Sequence, residues 1–398
     1  MTDLQVSPTA RHARTAVAVA FLVNGLCFAS WISRTPAVRD TLGLSSAQLG
    51  LLLLCVSGGS IAGLPLSGPI VHRLGARAAV LAGSLTVGVG LTGLGVALLL
   101  VSVPLAVPGL ALVGLGIGVW DVAMNVEGAA VERRLGRSLM PRLHAGFSLG
   151  TVAGAGIGAA AAATGVPLSA QVFVIAIVAP VSMAVATRMF LADHAEAEES
   201  TTRRSGVLAA WREPRTLVVG LMVLGFAFTE GSANDWMAVA MVDGYGTTEA
   251  VGAIGFGVFV AAMTVARMVG GTALERYGRV ATLRATAVLG LAGLLLVLLG
   301  GSAPVAIAGA VLWGFGAALG FPVGMSAAAD DPERAAFRVS VVSSIGYTAF
   351  LAGPPLIGLL AEHVGILRGL FVVVAALTLG LAACGASRPL SPRPSPTP

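Results

Sequence analysis

The chain has 398 residues, of which 56% are hydrophobic and 11% charged, with a formal net charge of +5 and a mean hydropathy of +0.90. A soluble domain carries about 25% charged residues, so composition excludes a water-soluble globular protein and requires a membrane protein. Every basic residue is Arg, and the Lys-free, Ala/Gly/Val-rich usage points to a GC-rich bacterial genome.

Crossing a bilayer takes about 20 apolar residues per helix. Twelve runs qualify, near 15–36, 47–71, 78–101, 105–128, 143–163, 169–190, 215–241, 249–271, 280–300, 304–327, 339–360 and 367–385. They predict an all-α membrane protein of twelve transmembrane helices in two six-helix bundles. The expected organisation is a cytoplasmic amino terminus at 1–14, an amino-terminal bundle at 15–190, a charged cytoplasmic linker at 191–214, a carboxyl-terminal bundle at 215–385 and a Pro-rich disordered tail at 386–398. With the amino terminus inside, Arg11, Arg14, Arg73, Arg77, Arg133, Arg134, Arg137, Arg142, Arg203, Arg204 and Arg212 are cytoplasmic, as are Arg276, Arg279, Arg284, Arg334, Arg338 and Arg388. Arg34, Arg39 and Arg368 fall outside, which is a positive-inside bias with both termini cytoplasmic. The positive charge therefore reflects topology, and no nucleic-acid partner is expected.

One phrase occurs twice. Gly68, His72, Arg73 and Gly75 share the spacing of Gly271, Glu275, Arg276 and Gly278, each set in a short polar turn between two apolar runs. A duplicated helix bundle is the architecture of a secondary transporter. The segment from Gly68 to Arg77 resembles the loop signature of the major facilitator superfamily, and the resemblance extends over the whole chain in helix count, repeat and linker. It implies two bundles that alternate access to a central site, with these loops latching the cytoplasmic side in the outward-open state. His72 stands where the family carries Asp, so a weaker latch is expected in the amino half. Gly75 and Gly278 are expected to supply unusual backbone angles.

An ionisable residue inside a span is a functional hypothesis by default. Asp121 lies in the fourth span on one helical face with Gly114, Gly118 and Asn125. That face suits either a polar cavity or an interhelical hydrogen bond. Glu127 and Glu132 are expected at the solvated cytoplasmic end. In the first span Asn24, Cys27, Trp31 and Arg34 share a face, with Trp31 either stacking on substrate or belonging to an interfacial belt. In the seventh span Glu230 is deep enough to need a partner, and Asp235 lies nearer the outer end. His144 and Ser148 in the fifth span and Tyr347 in the eleventh are further candidates; Trp313, Phe315 and Phe321 read as packing.

This stretch around Asp121 resembles the fucose-permease branch of the superfamily and, more closely, the YbjJ-like proteins beside it. Asp121 and Asn125 fall where fucose permeases carry a protonatable Glu and an Asn, while Ile32 replaces their second acid. The resemblance implies a secondary active transporter of a small polar solute, with proton-coupled uptake the first expectation and drug or metabolite efflux the alternative. A ligand sensor is a third reading. Asp121 and Glu230 are the proton-coupling candidates. Asn24, Trp31, Asn125, His144, Ser148 and Tyr347 are the substrate-binding candidates. Arg34 and Asp235, at similar depth, are the expected external gate, joined by the loop residues as gating structure. The expected partners are a small-molecule substrate, protons and the lipid bilayer, in a monomer of the bacterial inner membrane. No cofactor, no metal and no enzymatic activity are expected: Cys27, Cys55 and Cys384 lack metal-ligand spacing, and a Lys-free chain has no nucleotide-binding loop of the Gly-x-x-x-x-Gly-Lys type.

Overall fold

A computed structural model describes residues 8–136, 139–191, 209–331 and 334–390. The expected linker's residues 192–208, the tail's 391–398, and Arg137, Arg203 and Arg204 lie outside the described residues. Within them the secondary structure is helical, and no strand occurs. The amino half contains α1 (Pro8–Ile32), α2 (Thr35–Leu42), α3 (Ser46–Leu100), α4 (Val103–Leu135), α5 (Met140–Ala163) and α6 (Leu168–Ala186). The carboxyl half contains α7 (Pro214–Tyr245), α8 (Glu249–Leu299), α9 (Ala303–Ala317), α10 (Gly320–Ala328), α11 (Ala335–Val364), α12 (Ile366–Gly369) and α13 (Phe371–Ala383).

Ten helical stretches among the described residues are long and apolar enough to cross a membrane. Two of them, α3 with 55 residues and α8 with 51, are double length. At about 1.5 Å per residue each runs roughly 75–80 Å, over twice the hydrocarbon core of about 30 Å. Each breaks at one glycine of the repeated phrase, Gly75 (φ 79°, ψ 161°) and Gly278 (φ 77°, ψ 167°). A side chain is strained at such angles, so the glycines divide each helix into two arms of crossing length. The ten stretches therefore accommodate the twelve expected runs. Helix begins earlier than expected, at Pro8, and a 3-10 turn, Cys384–Ser387, carries helical structure past residue 385.

The repeat is visible in packing. A Cβ on Gly114 would lie 1.9 Å from the Val56 carbonyl oxygen, and one on Gly314 would lie 2.3 Å from that of Phe259. The same helix pair thus closes on a backbone contact in each half, as small residues permit in lipid. Trp120, Trp236, Trp313 and Phe259 fill the interior, while Leu99, Ile177, Met268 and Leu299 stand outward. So many large apolar side chains facing out would aggregate in water and suit a lipid boundary.

The two ends of the bundle differ in what they carry. Residues 8 and 390, the end of α6 and the start of α7 lie at one, the terminal end, where the Arg388 carbonyl accepts from Arg215. The short turns after α1, α3, α5, α7 and α8 lie at the other, the distal end.

Candidate functional site

Between the halves lies a cavity of about 280 Å³. The amino half contributes Phe28, Trp31 and Asp121 to its wall, and the carboxyl half contributes Asn234, Asp235 and Tyr347. Helical spacing explains why these residues converge: Asp121 sits one turn past Gly118, another lining residue, and Asn234 and Asp235 follow Gly231 by one turn. Asn125 Nδ2 donates to the Asp121 carbonyl at 2.8 Å and approaches its carboxylate at 3.4 Å. Asp121 therefore keeps a carboxylate facing the cavity, whereas Gly114 on the same helix serves packing against α3.

The distal side of this cavity is closed by charge. Arg34 donates to Glu249 Oε2 from Nη2 at 2.9 Å and from Nε at 3.3 Å. Its Nη1 donates to the Val166 carbonyl at 2.8 Å and to Gln171 Oε1 at 3.0 Å, and Gln171 in turn donates to the Ser30 carbonyl at 2.7 Å. The guanidinium, 5% exposed at residue level, is thus held on three sides. Arg34 and Glu249 also line a second cavity, of about 710 Å³, that faces the distal end. Trp31 and Ile32, which line the central cavity, precede Arg34 in the chain by three and two residues. Beyond it Arg39 pairs with Asp243, donating from Nη2 at 2.8 Å, and the Ala47 N–H donates to Glu362 at 3.2 Å. Glycines bring α3 and α11 together here as well: a Cβ on Gly50 would lie 2.4 Å from the Pro354 carbonyl oxygen, and one on Gly358 would lie 2.5 Å from that of Ser46.

Several expectations change. Arg34 does not pair with Asp235, because α7 continues ten residues past Asp235 to Tyr245, about 15 Å of helix. Asp235 is therefore deep in the cavity wall, and Glu249 at the start of α8 meets Arg34. Trp31 is fully buried, which rules out the interfacial belt. Glu230 is bonded to Arg267 at 2.9 and 3.0 Å and does not line the central cavity. Glu127 is buried where a solvated position was expected and accepts the Leu191 N–H at 2.6 Å, while Glu132, which is not buried, accepts the Met140 N–H at 2.8 Å.

Of the substrate-binding candidates, Trp31 and Tyr347 line the cavity; Asn24, Asn125, His144 and Ser148 do not. Asn24 is buried with both amide atoms unpartnered. His144 meets Phe21 edge-on at 5.1 Å. Trp313 donates to the Thr229 carbonyl at 3.1 Å and packs on Phe259, as a core residue does. At the terminal end His72, Arg73, Arg77 and Glu275 are exposed, with no hydrogen bond or ion pair among the described residues. Arg276 lies over the Tyr277 ring at 5.3 Å. Open space surrounds Gly68 and Gly271.

The sequence reading missed Arg267, Gln171, Glu249 and Asp243. Arg267 lies within the eighth run, 249–271, and the rule that singled out Glu230 applies to it equally. Glu249 follows Thr248, whose hydroxyl accepts the Val251 N–H at the helix start; it is an acid in a first turn, a local signal for helix capping that conceals its long-range partner.

The model of the Major Facilitator Superfamily matches residues 16–279 and 232–398. The chain belongs to that superfamily. It is 33% identical over 358 residues to the uncharacterized transporter y4wD of Sinorhizobium fredii, covering 90% of this chain and 93% of that one. Among solved structures it is similar to a bacterial homolog of the human lysosomal transporter Spinster, with TM-score 0.78 and 15% identity over 97% of this chain and all of that one. The E. coli fucose:proton symporter FucP is also similar, with TM-score 0.57 and 13% identity over 95% of this chain and 98% of that one. These likenesses carry the all-α major facilitator fold and a transporter family.

Proposed function

We propose that this chain is a secondary active transporter that takes up a small polar solute across a bacterial inner membrane by alternating access, coupled to protons through Asp121. The observation that carries this reading is a cavity between the halves with Asp121 in its wall and the cross-half pair Arg34–Glu249 above it. A carboxylate at that place can bind a proton while open to one side and release it while open to the other. The arginine distribution favours the terminal end as cytoplasmic and the distal end as periplasmic, which makes this conformation closed to the outside. Glu230 is paired with Arg267 and does not line the central cavity, whereas Asp121 does, which favours Asp121 of the two candidates.

Asp121→Asn keeps the size and removes the titration. In proteoliposomes, uptake driven by an imposed pH gradient is expected to collapse, while exchange without a gradient survives in part. An Asn variant that concentrates solute like the parent would overturn proton coupling through this residue. The solute for this assay comes from a thermal-shift screen of the purified protein against sugars, amino acids, vitamins and drugs.

A further inference from the structure

The deep charges of this bundle are not all matched. Glu230 has Arg267 and Glu249 has Arg34, each within hydrogen-bond distance. The two carboxylates of the central cavity differ. Asp121 has the Asn125 amide, and no hydrogen bond or ion pair reaches the Asp235 side chain among the described residues. Neither Arg nor His lines the space, so nothing in the wall offsets two carboxylates contributed by opposite halves. A charge withdrawn from water and left unpaired is costly, and a ligand of opposite charge removes that cost.

The rest of the wall fits the same ligand. Phe28, Trp31, Tyr347 and Phe350 surround the carboxylates with aromatic rings, and such faces attract ammonium groups. The volume of about 280 Å³ falls just below the range of roughly 300–1,000 Å³ typical of drug-sized sites, which restricts the ligand to a small molecule.

We propose that the solute is a small organic amine, positively charged, whose cationic group is bound by Asp235 among the aromatic side chains of the cavity wall. This names the substrate class for the site assigned above and rests on that assignment. It also divides the labour of the two acids, with Asp121 carrying the proton and Asp235 the cation. An ion pair to Asp235 ties the solute to the carboxyl half, and Phe28 lines the same space from the amino half.

The test uses matched pairs that share shape and differ in charge: choline with 3,3-dimethylbutan-1-ol, and glucosamine with glucose. Affinities are measured on the full chain in nanodiscs by titration calorimetry. At least one cation is expected to bind about tenfold or more tightly than its neutral partner, with the preference kept in Asp235→Glu and lost in Asp235→Asn. As a check that needs no folded Asn variant, the bound cation should slow alkylation of a cysteine at Ser57→Cys in the cavity wall, and its neutral partner should not. Equal binding of charged and neutral members, binding of neither cation, or a preference retained by a folded Asp235→Asn protein would overturn the proposal. Gradient-driven flux of a neutral solute without cation binding would leave the transporter reading standing and sink this one. Cation binding without flux would do the reverse.

Discussion

At the distal end the halves are joined to each other, through Arg34–Glu249, Arg39–Asp243 and the hydrogen bond from the Ala47 N–H to Glu362. At the terminal end the ion pairs found among the described residues lie within the carboxyl half: Asp330 receives Arg215 and Arg279 at 2.8 and 2.7 Å, and Glu213 receives Arg334 and Arg338 at 2.7 and 2.6 Å. Bonds within a half survive any movement of one half against the other. Bonds across the halves must break when that end opens. The difference identifies the distal contacts as the ones that oppose opening, and the terminal clusters as fixtures that keep the carboxyl bundle rigid while it moves.

The most damaging way to break this contrast is to reverse a charge at the distal pair. An exposed ion pair is worth about 0–1 kcal/mol, whereas removing one member of a buried pair costs about 3–5 kcal/mol. Arg34 is buried and the Glu249 side chain is 32% exposed, which places this pair between the limits. Glu249→Arg puts two guanidinium groups together. Transport is expected to fall by about tenfold or more, a loss of 1.4 kcal/mol or above. A cysteine at Ser57→Cys, in a background lacking Cys27, Cys55 and Cys384, should become reactive to impermeant reagent added on the distal side. Combining Glu249→Arg with Arg34→Glu should restore part of both. A double variant no better than Glu249→Arg alone, in folded and inserted protein, would reject the pair as the gate.

A steric wedge tests the same end without touching charge. Gly50 has no room for even a Cβ against Pro354, so Gly50→Leu must separate α3 from α11 or fail to insert. In inserted protein the distal labelling of Ser57→Cys should rise severalfold. The equivalent bulk at Gly68, which has open space around it in this conformation, should leave distal labelling near the parent's. Equal effects at both glycines would mean that the two ends do not differ as described.

How much of this was legible beforehand follows from the range of the interactions. Apolar runs set the helices because each must satisfy its own backbone in lipid, and the runs overlap the observed helices, which extend beyond them most at Pro8 and Leu135. The breaks at Gly75 and Gly278 were readable because a backbone angle is a local property carried by one residue type. Asp121 and Trp31 were readable as cavity residues since an acid and an indole deep in a span need a reason to be there. Glu249 was not, because its partner is 215 residues away and the helix-start position offers a sufficient local explanation. The error over Asp235 has a simpler source: Arg34 and Asp235 both lie about 20 residues into their runs, but α1 starts at Pro8 and ends at Ile32, so Arg34 lies past its helix while Asp235 has helix ahead of it as far as Tyr245.

The terminal cluster predicts a pH effect. Burial works against the charge on Glu213, but hydrogen bonds from Arg338, Thr216 and Arg334 outweigh it and hold the carboxyl below its ordinary 4.5. A depressed carboxyl contributes stability that is fully present above the unfolded-state pKa and is lost as pH falls through the folded-state value. The thermal midpoint of the parent should therefore drop on acidification below about pH 4.5, and Glu213→Gln should start lower at neutral pH and show a shallower acid decline. Parallel curves for the two proteins would remove Glu213 from the account. Distal labelling should be unchanged by the variant at neutral pH, since its partners all belong to one half.

The smallest expected effect is at the repeated loop. His72 and Glu275 occupy equivalent places, and both are exposed and free of ion pairs among the described residues in this conformation. Any contribution they make to closing the terminal end is therefore made in the other state, where the distal pairs are broken. His72→Asp supplies the fixed negative charge that the second copy already has in Glu275, close in sequence to the exposed Arg73 and Arg77. It should stabilise the terminally closed state relative to the one described, and raise distal labelling of Ser57→Cys by a few-fold; a full tenfold change in the ratio of states would correspond to about 1.4 kcal/mol. Glu275→His should move the ratio the opposite way. Because exposed pairs are screened within about 10 Å at 0.1 M salt, the His72→Asp effect should shrink as salt is raised, whereas the change produced by Gly50→Leu should not. Labelling that stays at the parent level in both loop variants, at low and high salt, would show that the loop acid has no part in setting which end is open.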